Sequence, residues 1–256
     1  MRLLALATLS LSLLAAPLAV AAGDAKHPEH QHWHWDGVFG QFDRGQLQRG
    51  FLVYKTVCAA CHGMNLLSYR NLGDEGGPEF PEDAVKAIAA GYQVPSLDED
   101  GQPAERPATP ADRFKGPHPN EIAARAANNG ALPPDLSVIV KARHGGADYI
   151  YALLTGYKDA PADMTMGAGM HYNPYFAGGQ IAMAAPIASD DLVEYADGTK
   201  ATKDQMARDV TAFLTWASEP RLEERKKLGV KVMAFTFVFA LVLFMAYRRL
   251  WRDVPH

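Results

Sequence analysis

The sequence is poor in cysteine, in net positive charge outside its ends, and in apolar runs away from its two termini. Its 256 residues hold two cysteines, Cys58 and Cys61, so a four-cysteine zinc site is excluded. Residues 23–220 carry 16 basic and 26 acidic side chains, a net −10 that argues against nucleic acid and towards a basic protein partner. The overall value of −4 hides this, because residues 221–256 carry 8 basic and 3 acidic side chains, a net +5. No internal repeat is present, and Gly145-Gly146 reads as a turn, not a phosphate loop.

The ends are where the apolar runs lie. Met1-Arg2, an apolar stretch to about Leu14 and a run of small residues with Pro17 read as a secretory signal over 1–22, cleaved near Ala21 or Ala22. A mitochondrial presequence would carry several arginines, and Arg2 stands alone, so bacterial export is expected. Val232–Tyr247 holds no charge, and Gly229-Val230 extend it past Lys231, giving a predicted membrane span over about 230–248. The segment 221–256 is thus read as an anchor with a short tail. Export of residues 23–220 leaves Arg248, Arg249 and Arg252 on the cytoplasmic side, in line with the positive-inside bias. The expected placement is a single-pass protein of the bacterial inner membrane, with its domain in the periplasm.

A cysteine pair in an exported chain is ordinarily a disulfide, but here the spacing and the next residue decide otherwise. Cys58-Ala59-Ala60-Cys61-His62 is the haem c attachment pattern: each thiol adds across a vinyl group, and the adjacent imidazole reaches the iron. A thioredoxin-type dithiol would open a helix after a buried strand. Here Leu47, Phe51, Tyr54 and Val57 instead form a helical stripe before Cys58, with Asp43 as N-cap, and no βαβ pattern surrounds it. A methionine as second axial ligand would close the iron for electron transfer, whereas an open position would permit small-molecule chemistry. Met64 is too near His62 to reach the opposite face, and Met206 lies on an apolar helical stripe. Met164, Met166, Met170 and Met183 remain in a glycine-rich region over 164–185 with few helix or strand signals, and physics alone does not choose among them. His171 is a rival ligand in the same region, although a lone loop histidine is more often simply solvated.

A final helix before the anchor is marked by Thr202–Gln205 as a capping box and by Met206, Val210, Phe213, Leu214 and Ala217; it is expected to cross the first helix. Shorter helices are expected over 81–92, over 121–129 capped by Asn120, and over 135–143 and 147–154. Residues 94–120 read as a long surface excursion, and His27, His30, His32 and His34 as an exposed segment.

The segments Arg49–Lys55, Ala126–Ser137, Ala142–Gly146, Leu153–Tyr157, His171–Phe176 and Ile181–Pro186, with Glu194-Tyr195 and Asp197–Thr199, resemble the cytochrome c1 family across nearly the whole chain. That resemblance implies a mainly α fold: a class I cytochrome c-like helical haem domain with long loop insertions, plus one C-terminal transmembrane helix. It implies Met183 as the distal ligand opposite His62, and Asn128, Pro134, Arg143 and Tyr149 around the haem, with Arg143 towards a propionate. It also implies cytochrome b and Rieske iron–sulfur subunits as partners, and a cytochrome c as electron acceptor. The longer acidic insertion and additional cysteines of vertebrate members are absent, so the resemblance implies no structural disulfide.

Overall fold

The computed structural model describes residues 25–254; the signal segment read over 1–22 lies outside them. Among the described residues six α-helices carry the architecture, and the strands form three two-stranded antiparallel ribbons.

Helix α1, Arg44–Val53, starts where Asp43 accepts a hydrogen bond from Gln46 N at 2.6 Å, satisfying one orphan donor of the first turn. It widens into a π-helical turn, Tyr54–Cys58, closed by Ala59 N donating to Tyr54 O at 2.9 Å. Such π turns concentrate at functional sites, and this one delivers the Cys58–His62 segment. Helix α5, Lys203–Ser218, crosses α1 as expected. Its N-cap is Thr202, whose hydroxyl accepts from Gln205 N at 3.1 Å. The crossing is close at Gly50, where an added Cβ would lie 2.0 Å from Asp209 O and 2.7 Å from Phe213 Cβ. Leu47, Phe51 and Tyr54 pack there against Met206, Val210 and Phe213, with ring centroids 5.7 Å apart for Phe51–Phe213 and 5.8 Å for Tyr54–Phe213. Within this apolar crossing Asp209 is fully buried, and Arg49 Nε reaches it at 3.1 Å while Arg49 Nη1 reaches Asp197 at 2.7 Å. One cation thus ties α1 to α5 and to the 190s loop.

Helices α2 (Glu82–Ala90), α3 (Glu121–Ala127) and α4 (Gly146–Thr155) match the expected positions, and Asn120 caps α3 by accepting from Ala123 N at 2.9 Å. Three expectations are revised. Residues 135–143 form successive turns instead of a helix: Ile139 N closes on Leu136 O at 3.3 Å and Ala142 N on Val138 O at 2.9 Å, while Leu136 N and the Asp135 and Ser137 side chains are tied across to Gly63, Asn65 and Leu66. The 94–120 excursion contains a β-ribbon, β2 (Gln93–Leu97) with β3 (Pro103–Pro107), and the strand β4 (Arg113–Phe114), which pairs with β1 (Met64–Ser68). The 164–185 region holds a further ribbon, β5 (His171–Tyr172) with β6 (Gln180–Ile181), turned at Gly178 and Gly179, both with positive φ.

The N-terminal segment is pinned by alternation: His30, His32 and His34 face solvent while Trp33 and Trp35 are buried and stacked, centroids 4.9 Å apart. Trp33 Nε1 donates to Asp148 Oδ1 of α4 at 2.7 Å.

Helix α6, Leu222–Leu250, is 29 residues, about 43 Å at 1.5 Å per residue, enough to cross a bilayer. From Leu228 onward its side chains are exposed and mostly apolar. Its first turn is clamped to the domain: Glu223 accepts Arg44 Nη1 at 2.6 Å, Arg44 Nη2 at 2.9 Å and Phe42 N at 2.9 Å.

Candidate haem site

Cys58 ends the π turn half-buried, Cys61 is exposed, and both stand one short turn from His62. Backbone bonds from Cys61 N (3.1 Å) and His62 N (2.9 Å) to Cys58 O make that turn compact. Burial pushes the Cys58 thiol up to about 12. A dithiol built for exchange needs the opposite shift, so the thioredoxin reading loses its chemical basis.

His62 is held from both sides. Tyr54 Oη donates to the His62 carbonyl at 3.0 Å, and His62 Nδ1 lies 2.7 Å from Pro134 O. A carbonyl can only accept, so Nδ1 must carry the proton and Nε2 keeps its lone pair for a metal. Burial lowers the imidazole below its ordinary pKa, partly opposed by that hydrogen bond, and so favours the neutral, ligating form. The carbonyl that metal-bound histidines use to fix ring and tautomer is therefore in place.

The loop carrying Pro134 is itself clamped. Leu136 N donates to Gly63 O at 2.9 Å, Leu66 N to Ser137 Oγ at 3.0 Å, and Asn65 N and Nδ2 to Asp135 Oδ2 at 2.7 and 2.8 Å. Gly63 must be glycine here, since a Cβ would lie 2.5 Å from Gly116 N. Tyr54, Asp135 and Ser137 are thus positioning residues that the sequence reading missed. The Asp135-x-Ser137 spacing was a legible turn signal, whereas the Tyr54 hydroxyl was hidden on an apolar stripe.

Met183 stands two residues past the end of β6 and is half-buried; its carbonyl accepts Tyr157 Oη at 3.0 Å. Tyr157 lies near Tyr149, and burial raises the phenol pKa of both. Of the other loop methionines, Met164 lies beside Gly179 and Met170 beside Gly167, and Met164, Met166 and Met170 are all half-buried, as Met183 is. Met64 and Met206 are fully buried in the core, and His171 is exposed.

The remaining candidates divide. Pro134 touches His62 directly. Tyr149, half-buried on α4, feels the Arg143 cation. Arg143 is exposed, with its guanidinium on Ala142 O at 3.1 Å, and Asn128 closes α3 by donating from Nδ2 to Ala124 O at 2.8 Å. Both of these side-chain bonds are local.

Two thiols and a tautomer-locked imidazole in one turn fit a covalently attached haem c, with a thioether-bearing loop fixed by Tyr157 available as a further donor. The chain matches the Cytochrome C1 family over residues 33–254. It is 44% identical over 269 residues to cytochrome c1 of Rhodospirillum rubrum, covering 96% of this chain and 97% of that one. It is also 46% identical to the cytochrome b-c1 complex catalytic subunit, mitochondrial, of Candida albicans, covering 95% of this chain and 84% of that protein. Identity to the mitochondrial cytochrome c1 heme protein of Saccharomyces cerevisiae is 49%, over 86% and 71%. Geometry, family match and near full-length identity agree, and the chain belongs to the cytochrome c1 family.

Proposed function

We propose that this chain is the haem c subunit of a cytochrome bc1 complex, taking one electron from a Rieske iron–sulfur protein and passing it to a cytochrome c during ubiquinol oxidation. The observation that carries this reading is the 2.7 Å hydrogen bond from His62 Nδ1 to Pro134 O, beside the thiols of Cys58 and Cys61. It leaves Nε2 as the ligating atom. When bound, haem c supplies a one-electron couple at its iron.

The chain's own part is to hold, orient and shield. Cys58 and Cys61 would carry the thioether links, and His62 and Met183 would be the axial ligands. Met183 is favoured by the likeness to the cytochrome c1 family, and Tyr157 Oη, donating to its carbonyl at 3.0 Å, pins its main chain. Pro134 orients His62, and Asn128, Tyr149 and Arg143 flank the group, with Arg143 exposed and free to turn to a propionate. A closed, six-coordinate site relays electrons without substrate chemistry, so the chain alone is not a catalyst.

Residues 1–22 would be removed on export, 23–220 would lie in the periplasm, and 221–256 would anchor the chain beside cytochrome b in the inner membrane. The exposed acidic residues Asp74, Glu75, Glu82, Glu99 and Asp100 would steer a basic carrier; Asp98 instead shapes the β2–β3 turn, and Glu79 pairs with Arg44. The test is Met183→Leu in the membrane-expressed protein, read by redox titration and ubiquinol-dependent cytochrome c reduction. A lowered potential with slowed reduction is expected; an unchanged high potential refutes the ligand assignment.

A further inference from the structure

Where α6 leaves the domain, the short loop 36–40 runs beside its first turns. Two adjacent large apolar side chains occupy the tip: Val38 is 61% exposed and Phe39 83%. One exposed apolar residue is ordinary, but a neighbouring pair continuous with a long apolar helix face is not.

The loop is prebuilt. Asp36 N donates to Trp33 O and Gln41 N to His34 O, both at 3.0 Å, and Trp33 N donates to Asp36 Oδ2 at 3.0 Å. Lys226 Nζ, from α6, donates to the carbonyls of Trp35 and Gly40 that bracket the tip. Gly37 has φ +69°, and a Cβ on Gly40 would lie 2.0 Å from Asp36 O, so both positions need glycine. Stacked Trp33 and Trp35 fix the base.

Between this loop and α6 lies an open notch of about 650 Å³, with Val38 on one wall and Gly229, Val230, Met233 and Ala234 on the other. Those four share one face of α6, and nothing lies within 4 Å of a Cβ built on Gly229. Met233 and Ala234 belong to the uncharged stretch, about 10 Å along the axis from Lys226. The loop therefore stands at the level where α6 enters the hydrocarbon, the depth of about 5–10 Å that interfacial elements reach. Arg225 lines the same notch, its Nε paired with the Glu219 carboxylate.

We infer that the 36–40 loop is a membrane-inserted wedge, and that the notch it forms with α6 holds a phospholipid acyl chain whose phosphate faces Arg225. The chemistry is one of continuity: the notch opens onto an apolar face of α6 that would meet acyl chains in a bilayer, and the Arg225 guanidinium, paired through Nε with Glu219, stands where a headgroup would lie. A fixed wedge beside a clamped helix sets the height and tilt of the haem domain over the bilayer.

The inference rests on α6 spanning the membrane, so the experiment separates the two. The full complex in its native membrane is made with a benzophenone side chain in place of Phe39, and separately in place of Phe237, which is 71% exposed along α6. Haem staining after electrophoresis checks that each protein is assembled. After irradiation, the peptides bearing residue 39 and residue 237 are both expected to gain the mass of one phospholipid. Lipid adducts at 237 with none at 39, or with 39 joined to another polypeptide, overturn the wedge and leave the anchor standing. A residue 237 that joins neither lipid nor a membrane subunit overturns the spanning reading, and the wedge with it.

Discussion

Gly50→Ala probes the crossing that positions the haem-attachment segment. The new Cβ would stand 2.0 Å from Asp209 O and 2.7 Å from Phe213 Cβ. Carbon contacts settle near 3.5 Å, so α1 and α5 must separate by about 1.5 Å to admit one methyl group. The obstacle is main chain and cannot rotate away, which puts the cost near the top of the usual overpacking range, about 3 kcal/mol. Replacing glycine by alanine inside a helix returns about 1 kcal/mol. The net loss is about 2 kcal/mol, or a fall of about 4–8 °C in melting temperature for a domain of this size. Thermal melting of the detergent-solubilised holoprotein, followed by circular dichroism, reads this directly. Gly45→Ala is the control in the same helix, since its Cβ would meet only side-chain atoms, the nearest Asp43 Oδ1 at 3.3 Å. A Gly50→Ala protein melting within about 1 °C of the parent would refute the close approach of α1 and α5.

Tyr157→Phe removes the hydroxyl that donates to Met183 O at 3.0 Å. Losing about 1 kcal/mol from the distal loop should let exogenous imidazole displace the methionine at about fivefold lower concentration, measured by optical titration. Asp197 is held down to about 2, first by the Thr199 backbone N–H and then by Arg49. Its folded pKa lies below its unfolded one, so its stabilisation is complete above about pH 4 and fades as pH falls through about 2. Melting temperature against pH should therefore decline less steeply over that window in Asp197→Asn; identical curves would contradict the assignment.

Helices with long apolar stripes were legible because their burial is one-sided: α1 and α5 each present hydrophobic residues at helical spacing, and Asp43 and Asn120 cap where their side chains announce it. The stretch over 135–143 misled for the same reason. Leu136, Ile139 and Val140 have helical spacing and are buried, but the segment closes as separate turns, and the Asp135 and Ser137 side chains bond across to Asn65 and Leu66, tertiary partners that spacing does not reveal. The β2–β3 ribbon alternates outward and inward positions, but the inward ones are Val94, Ser96, Ala104 and Arg106, and with Pro95, Pro103 and Pro107 between them the sequence shows no alternation of apolar and polar residues. The π turn at Tyr54–Cys58 differs from α-helix by hydrogen-bond register alone, which composition does not encode. At the site, the thiols and His62 were legible from spacing, while the geometry that commits His62 was not. Pro134 acts through a main-chain carbonyl, which any residue could supply, so no side-chain chemistry marked it. Arg143 and Asn128 rested on family likeness, and their bonds here are local.

The central claim is a closed haem iron between His62 and Met183, and the most direct test is the optical spectrum of the reduced, membrane-expressed protein before and after carbon monoxide. The account predicts a low-spin spectrum that carbon monoxide leaves unchanged in the parent and shifts in Met183→Leu. A high-spin parent spectrum, or a carbon monoxide adduct formed by the parent itself, would contradict it.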